Sequence, residues 1–234
     1  MRPLIYLFDI DGTLVTTAGS GRKALCAAFD QRYGSSRGLD FSFDGMTDRS
    51  IVSIALAAMG LHFLGANLEP EIDAVLADYI SELTTLAQAT NNSFVVCEGV
   101  HQVLDQVHAA GLGTVGLGTG NIRKGAQLKL AAVDLFHRFA FGGFGCDHPD
   151  RTALLAVGAK RGAELLGLPL DQCDVLVIGD TPKDIAAAHG IGAFCLAVAT
   201  GNYSVAELNA AGADVSVASL TDPRALAVLL PPRP

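Results

Sequence analysis

Two carboxylates two residues apart, Asp9 and Asp11, stand at the end of an uninterrupted apolar run, Leu4 to Phe8, and Gly12 and Thr13 follow them. Carboxylates this close repel one another and need a proton or a cation to coexist. A hard divalent ion such as Mg²⁺ accepts oxygen ligands and supplies that countercharge. Gly12 permits a sharp reversal of the chain, and Thr13 adds a hydroxyl at its edge. A second pair, Asp180 and Asp184, follows the strand-like stretch Asp174 to Ile178, within Gly179-Asp180-Thr181-Pro182-Lys183-Asp184. A third run, Leu112 to Leu117, leads into Gly118-Thr119-Gly120-Asn121 and then a helical pattern. Strand-to-helix turns expose N–H groups and partial positive charge, which suits phosphate. The aspartates are therefore candidates for metal ligation and reaction chemistry, and Thr119, Gly120 and Asn121 for phosphate binding.

The elements that must position these groups are strands. An apolar run of this kind reads as a strand buried on both faces of a parallel sheet. Charge cannot lie deep in such a sheet, so Asp9 and Asp11 are expected at its carboxyl end, where open α/β sheets bind ligands. From Val95 onward the pattern alternates β and α. Helices are expected over Gly99 to Ala110, Ile122 to Ala132, Arg151 to Leu166, Ile185 to His189 and Ser204 to Ala211. Strands are expected over Phe139 to Phe141, Ala193 to Val198 and Asp214 to Val217, with Gly142 to Asp150 as a glycine-rich loop. The stretch from Thr16 to about Asn92 differs, for it has no long β-type run. Gly19 to Tyr33, Arg49 to Met59 and Pro70 to Gln88 read as helices, the first burying Ala24, Leu25, Ala28 and Phe29 on one face. Asp48 is placed to cap the second. Thr90 to Phe94 reads as a return hinge, and the tail Pro-Pro-Arg-Pro as disordered. The organisation expected is a Rossmann-like three-layer α/β core, residues 1–15 and 93–234, with an inserted α-helical cap domain, residues 16–92.

Composition bounds the partners. The 234 residues are half apolar, with a net charge of −8 and a mean hydropathy of +0.38. An acidic surface argues against nucleic acid or an anionic membrane as the main partner. No uncharged apolar run approaches the ~18 residues of a membrane span. Five scattered cysteines, Cys26, Cys97, Cys146, Cys173 and Cys195, show no CxxC spacing. They read as reduced thiols of a cytoplasmic protein. A monomer or a homodimer is expected.

The constellation resembles the phosphatase branch of the haloacid dehalogenase superfamily over essentially the whole chain. The first motif, DxDGT, is complete in Asp9-Ile10-Asp11-Gly12-Thr13; Thr119 ends the second-motif strand; GDxxxD is complete in Gly179 to Asp184. The resemblance implies a Mg²⁺-dependent phosphatase acting on a small phosphorylated metabolite, similar to phosphoglycolate phosphatases. It implies Asp9 as nucleophile and Asp11 as general acid and base. Asp9, the Asp11 carbonyl and Asp180 would hold the metal, with Asp184 supporting it. Thr119 and Gly120 would bind the transferring phosphoryl group.

The departure lies at the third motif, where the branch carries a lysine in a KPxP-like turn. Here the region reads Cys146-Asp147-His148-Pro149-Asp150-Arg151. Arg151 is the preferred substitute cation and Lys160 the weaker one; Lys124, Lys129 and Lys183 read as solvated. In the cap, Gly45 to Asp48 resembles a segment that places Thr47 and Asp48 near the substrate, with Arg49 a candidate for a second anion. The alternatives are a phosphomutase of the β-phosphoglucomutase type and a non-catalytic phosphate-binding module. A dehalogenase would leave Asp11 without a duty, and a phosphonatase would need a cap lysine, for which Lys23 alone is available.

Overall fold

Strand β1 (Leu4–Phe8) lies at the middle of the molecule with all five residues buried. The computed structural model describes residues 2–61, 67–89 and 94–231. After β1 come a two-residue strand β2 (Val15–Thr16), helices α1 (Ser20–Tyr33), α2 (Asp48–Ala58) and α3 (Leu68–Gln88), and strand β3 (Val95–Val96), which pairs antiparallel with β2. Then follow α4 (Val100–Ala110), β4 (Gly113–Thr119), α5 (Arg123–Ala131), β5 (Phe141–Phe144), α6 (Arg151–Leu166), β6 (Asp174–Gly179), α7 (Pro182–Gly190), β7 (Phe194–Val198), α8 (Val205–Ala210), β8 (Val215–Val217) and α9 (Pro223–Leu229). Six strands form one sheet in the order β5-β4-β1-β6-β7-β8, every pairing parallel.

Alternation along β1 builds a three-layer core. Leu4, Tyr6 and Phe8 face α4, α5 and α9 through Leu104, Leu130 and Leu229. Ile5 and Leu7 face α6 and α7 through Leu155, Ala159 and Ile185. The buried Tyr6 hydroxyl donates to the Leu229 carbonyl at 2.7 Å. This satisfies a polar atom that burial would otherwise penalise. The Rossmann-like α/β fold is as expected.

Helices α1, α2 and α3 pack around a third apolar cluster, with Phe29, Val52, Leu56, Val75 and Leu83 at its centre. Of the hinge expected at 90–94, residues 90–93 lie outside the described residues, as do residues 232–234 of the tail.

Three local expectations need correction. The strand placed at 139–141 is β5, and the glycines taken for a loop lie inside it. Gly142 and Gly143 are there because α6 presses against the strand; a Cβ on Gly143 would come 2.0 Å from the Leu154 carbonyl oxygen. The cap of α2 is Thr47, whose hydroxyl accepts from the Ser50 N–H, and Asp48 is the first helical residue. Lys129 is buried on α5 rather than solvated.

Candidate active site

The first, second and fourth strands of the α/β alternation, β1, β4 and β6, end side by side in the sheet, because β1 is hydrogen-bonded to both β4 and β6. Their carboxyl ends therefore deliver Asp9, Thr119 and Asp180 to one place. Gly12 makes the reversal after β1 with φ of +79°, and a Cβ there would strike the Asp180 carboxylate at 2.3 Å. Any side chain at residue 12 would displace an acidic group of the site.

Asp9, Asp180 and Asp184 each present a carboxylate oxygen within 4.8 Å of the others, and all three are buried. Arg151, at the start of α6, is the cation that faces them. Its Nε donates to Asp184 Oδ1 at 2.8 Å, its Nη2 also pairs with Asp184, and the same nitrogen lies 3.1 Å from Asp9. Burial opposes the charge on Arg151, but Asp184 and Asp9 together hold its pKa above the ordinary value. Thr13 donates to Asp180 at 3.2 Å. Asp184 serves twice: its Oδ2 accepts from the Thr181 N–H at 3.0 Å, capping α7, while its Oδ1 takes Arg151.

Three carboxylates face one guanidinium, so the cluster carries excess negative charge. Burial raises Asp9 to about 6; Arg151 opposes the shift, while Asp184 and Asp11 add to it. Burial, then Asp184 and Asp9, push Asp180 well above the carboxylate range. Such a group of hard oxygen donors fits a divalent cation, which would stabilise the ionised forms.

Thr119 is fully buried at the end of β4. Its hydroxyl oxygen accepts from the Asn121 side-chain amide at 2.9 Å and the Asn121 N–H at 3.3 Å. Its own proton stays available to an acceptor. Asp11 turns elsewhere: both its oxygens accept from Lys129 Nζ, at 2.6 and 2.8 Å, and Oδ2 also accepts from Asn121 at 2.8 Å. Asn121 Oδ1 takes the third Lys129 donor at 2.6 Å.

A cavity of about 550 Å³ joins these groups to the α1–α3 segment, with Arg22, Phe43, Asp48 and Tyr79 among its walls. Asp48 accepts from the Ile122 N–H at 2.8 Å, and burial raises its pKa to about 6 with Lys129 opposing. Thr47 is not on the cavity wall; its hydroxyl donates to the Pro149 carbonyl at 2.8 Å. Arg49 is taken by Glu69 and Asp73. Lys160 is exposed and 4.0 Å from Glu164. His148 Nδ1 accepts from the Asp150 N–H at 2.9 Å in an exposed loop. The structure thus brings Asp9, Thr119, Arg151, Asp180 and Asp184 together, with Asp11, Gly12, Thr13, Gly120, Asn121 and Asp48 around them.

Lys129 and Tyr79 were not foreseen at the site. Lys129 had a signal: it lies three residues after Ala126 and one before Leu130, on the spacing that faces the core. A lysine on that stripe is buried only with a partner, and Asp11 is the partner.

A buried acidic cluster with a guanidinium at the carboxyl ends of a parallel sheet stands where open α/β proteins bind their ligands. The chain belongs to the haloacid dehalogenase-like hydrolases, whose family model matches residues 4–192. A comparison with curated protein sequences finds no match. Among solved structures, a hydrolase from Pseudomonas syringae is similar over 98% of this chain and 99% of that one, with a TM-score of 0.71 at 20% identity. A protein described as a predicted phosphoglycolate phosphatase from Haemophilus somnus covers 97% and 98%, with a TM-score of 0.68 at 20% identity. CbbY from Rhodobacter sphaeroides, solved with phosphate, covers 95% and 96%, with a TM-score of 0.65 at 17% identity. At these identities the likeness is one of fold.

Proposed function

We propose that the chain is a Mg²⁺-dependent phosphatase that hydrolyses a small phosphorylated metabolite through a phosphoryl group held covalently on Asp9. The observation that carries this reading is the convergence of the Asp9, Asp180 and Asp184 carboxylates with Arg151 and Thr119 at three neighbouring strand ends. Asp9, Asp180 and Asp184, with the Asp11 carbonyl, would hold the cation. When bound, the ion would neutralise the phosphoryl oxygens and keep Asp9 ionised.

The chain's own groups supply the rest. An Asp9 oxygen attacks phosphorus, a new O–P bond forms, and the bond from phosphorus to the alcohol oxygen breaks. Asp11 gives its proton to the departing oxygen. In the second half Asp11 takes a proton from water, the water oxygen attacks phosphorus, and the bond to Asp9 breaks, releasing orthophosphate. Thr119, the Gly120 N–H and the Arg151 guanidinium bind the phosphoryl oxygens. Arg151 takes the place of the third-motif lysine, and its planar fork can grip a carboxylate and a phosphoryl oxygen at once. Helices α1 to α3 act as the cap, closing water out of the cavity and contributing specificity. The similarity to a predicted phosphoglycolate phosphatase and to CbbY, a protein solved with phosphate, supports a phosphate ester as substrate.

The test is phosphate release from a panel of sugar phosphates, nucleotides and phosphoglycolate, with and without Mg²⁺, using wild-type protein and Asp9→Asn. Release that needs Mg²⁺ and vanishes in Asp9→Asn supports the proposal. No release from any ester in the presence of Mg²⁺ overturns it.

A further inference from the structure

Residues 45–48, which lead into α2, press against the loops that follow three strands of the sheet. A Cβ on Gly120, in the turn after β4, would come 2.1 Å from the Met46 carbonyl oxygen. One on Gly45, which turns with φ of +61°, would come 2.5 Å from Thr181 Oγ1 in the turn after β6. In the loop after β5, the Pro149 carbonyl accepts from the Thr47 hydroxyl.

Asp48 holds the turn after β4 at two points. Its N–H donates to the Gly120 carbonyl at 2.8 Å, and its Oδ2 accepts from the Ile122 N–H at 2.8 Å. Asp48 is the first residue of α2, and Ile122 immediately precedes α5. The carboxylate therefore sits where two helices present unsatisfied N–H groups and partial positive charge, with Lys129 as a nearby cation. Between the two held residues, the Asn121 carbonyl accepts from the Gly145 N–H at 2.9 Å. The turn is thus fixed from the sheet side by Gly145 and from the α1–α3 side by Asp48. It is the same turn that carries Thr119 and the Gly120 N–H. Donors aimed before the ligand arrives bind it better than donors that must be ordered on binding.

We propose that Asp48 is a positioning residue that fixes the phosphoryl-binding turn, so that binding of the phosphoryl group depends on docking of the α1–α3 segment. An aspartate that touched the leaving group would discriminate among esters and leave affinity for inorganic phosphate unchanged. An aspartate that fixes the turn alters affinity for the phosphoryl group itself, whatever alcohol it carries.

This inference rests on the phosphatase reading for what the turn binds, but not for what Asp48 does to the turn. The probes are inorganic phosphate, with Mg²⁺ present, and amide hydrogen exchange followed by NMR. In Asp48→Ala the Asn121 and Ile122 amides should exchange about tenfold faster or more, and calorimetry should show phosphate bound about tenfold more weakly, as expected when a hydrogen bond to a charged group is lost. Asp48→Asn keeps an acceptor of nearly the same shape without the charge. It should fall between Asp48→Ala and wild type, and it carries the test if the alanine variant does not fold. Ser50→Ala is the control: it removes one half of the capping box of α2 without touching the turn, and should keep wild-type phosphate affinity. Wild-type exchange at Asn121 and Ile122 in the Asp48 variants, wild-type phosphate affinity in them, or an equal loss in Ser50→Ala overturns the role of Asp48. Failure of the phosphatase reading shows separately, as no phosphate bound and none released from any ester by the wild type; exchange at Asn121 and Ile122 then decides alone whether Asp48 holds the turn.

Discussion

Arg151 is the cation that holds the acidic cluster together before any metal arrives, so its removal has a calculable consequence. Its guanidinium pairs with Asp184 and lies 3.1 Å from Asp9, all three groups being buried. Removing one partner of a buried ion pair leaves an uncompensated charge and costs about 3–5 kcal/mol. For a protein of this size each kcal/mol moves the melting midpoint by about 2–4 °C, so Arg151→Met should melt roughly 6–20 °C below wild type at pH 8 in chelator. Arg151→Lys keeps a charge but loses the two-pronged grip, and should fall between them. Burial already raises Asp9, and Arg151 opposes that rise. Without the guanidinium, Asp9 takes a proton more readily, so the deficit of Arg151→Met should shrink as pH falls from 8 to 5. Saturating Mg²⁺ should also narrow it, because a cation offsets more uncompensated charge in the variant than in wild type, where the guanidinium is already present. Scanning calorimetry across pH, with chelator and with Mg²⁺, measures all of this. An Arg151→Met protein within about 0.5 kcal/mol of wild type at pH 8 in chelator would refute the reasoning.

The remaining expectations concern single groups. Asp9 is raised in the fold to about 6, so in chelator it contributes stability below the ordinary carboxylate pKa and loses it as pH rises through 6; Asp9→Asn should therefore gain on wild type between pH 5 and 8, as read by melting midpoints, and an invariant difference would contradict this. Gly12→Ala puts a side chain at φ +79° with its Cβ 2.3 Å from Asp180; it should cost about 1–3 kcal/mol in denaturant melts and raise the Mg²⁺ concentration needed for half-maximal activity. Thr119→Val removes one donor to the phosphoryl group and should lower kcat by about 10²-fold, measured as phosphate release, with little change in melting midpoint.

Legibility of the site in the sequence followed burial. β1 and β6 are apolar runs cut off by carboxylates, and a charge at the end of a doubly covered strand has one place to go. That is why Asp9 and Asp180 were legible as partners although 171 residues separate them. Arg151 was legible because it starts a helix just after the loop in which the family carries its lysine. The glycines of β5 misled because Gly142 and Gly143 read locally as a loop, whereas their reason lies in a helix that the chain reaches later. Lys129 misled for the opposite reason: the residue type argues for solvent, and only its position on the core-facing stripe of α5 argues otherwise. Asp48 looked like a cap by local spacing, but its acceptor role is toward the Ile122 N–H, 74 residues away. The helix α9 carried a start signal, Asp222 before Pro223, with the Asp222 side chain accepting from the Arg224 N–H.

The central claim is that Asp9 carries the phosphoryl group in mid-reaction. Wild-type protein, Mg²⁺ and a hydrolysed ester, quenched in acid within one turnover and digested, should give a peptide spanning Leu4 to Leu14 heavier by one phosphoryl group, with fragmentation placing it on Asp9. Thr119→Val should show the same adduct forming more slowly. Rapid hydrolysis with no adduct on Asp9 at any quench time, or an adduct on another residue, would contradict the account.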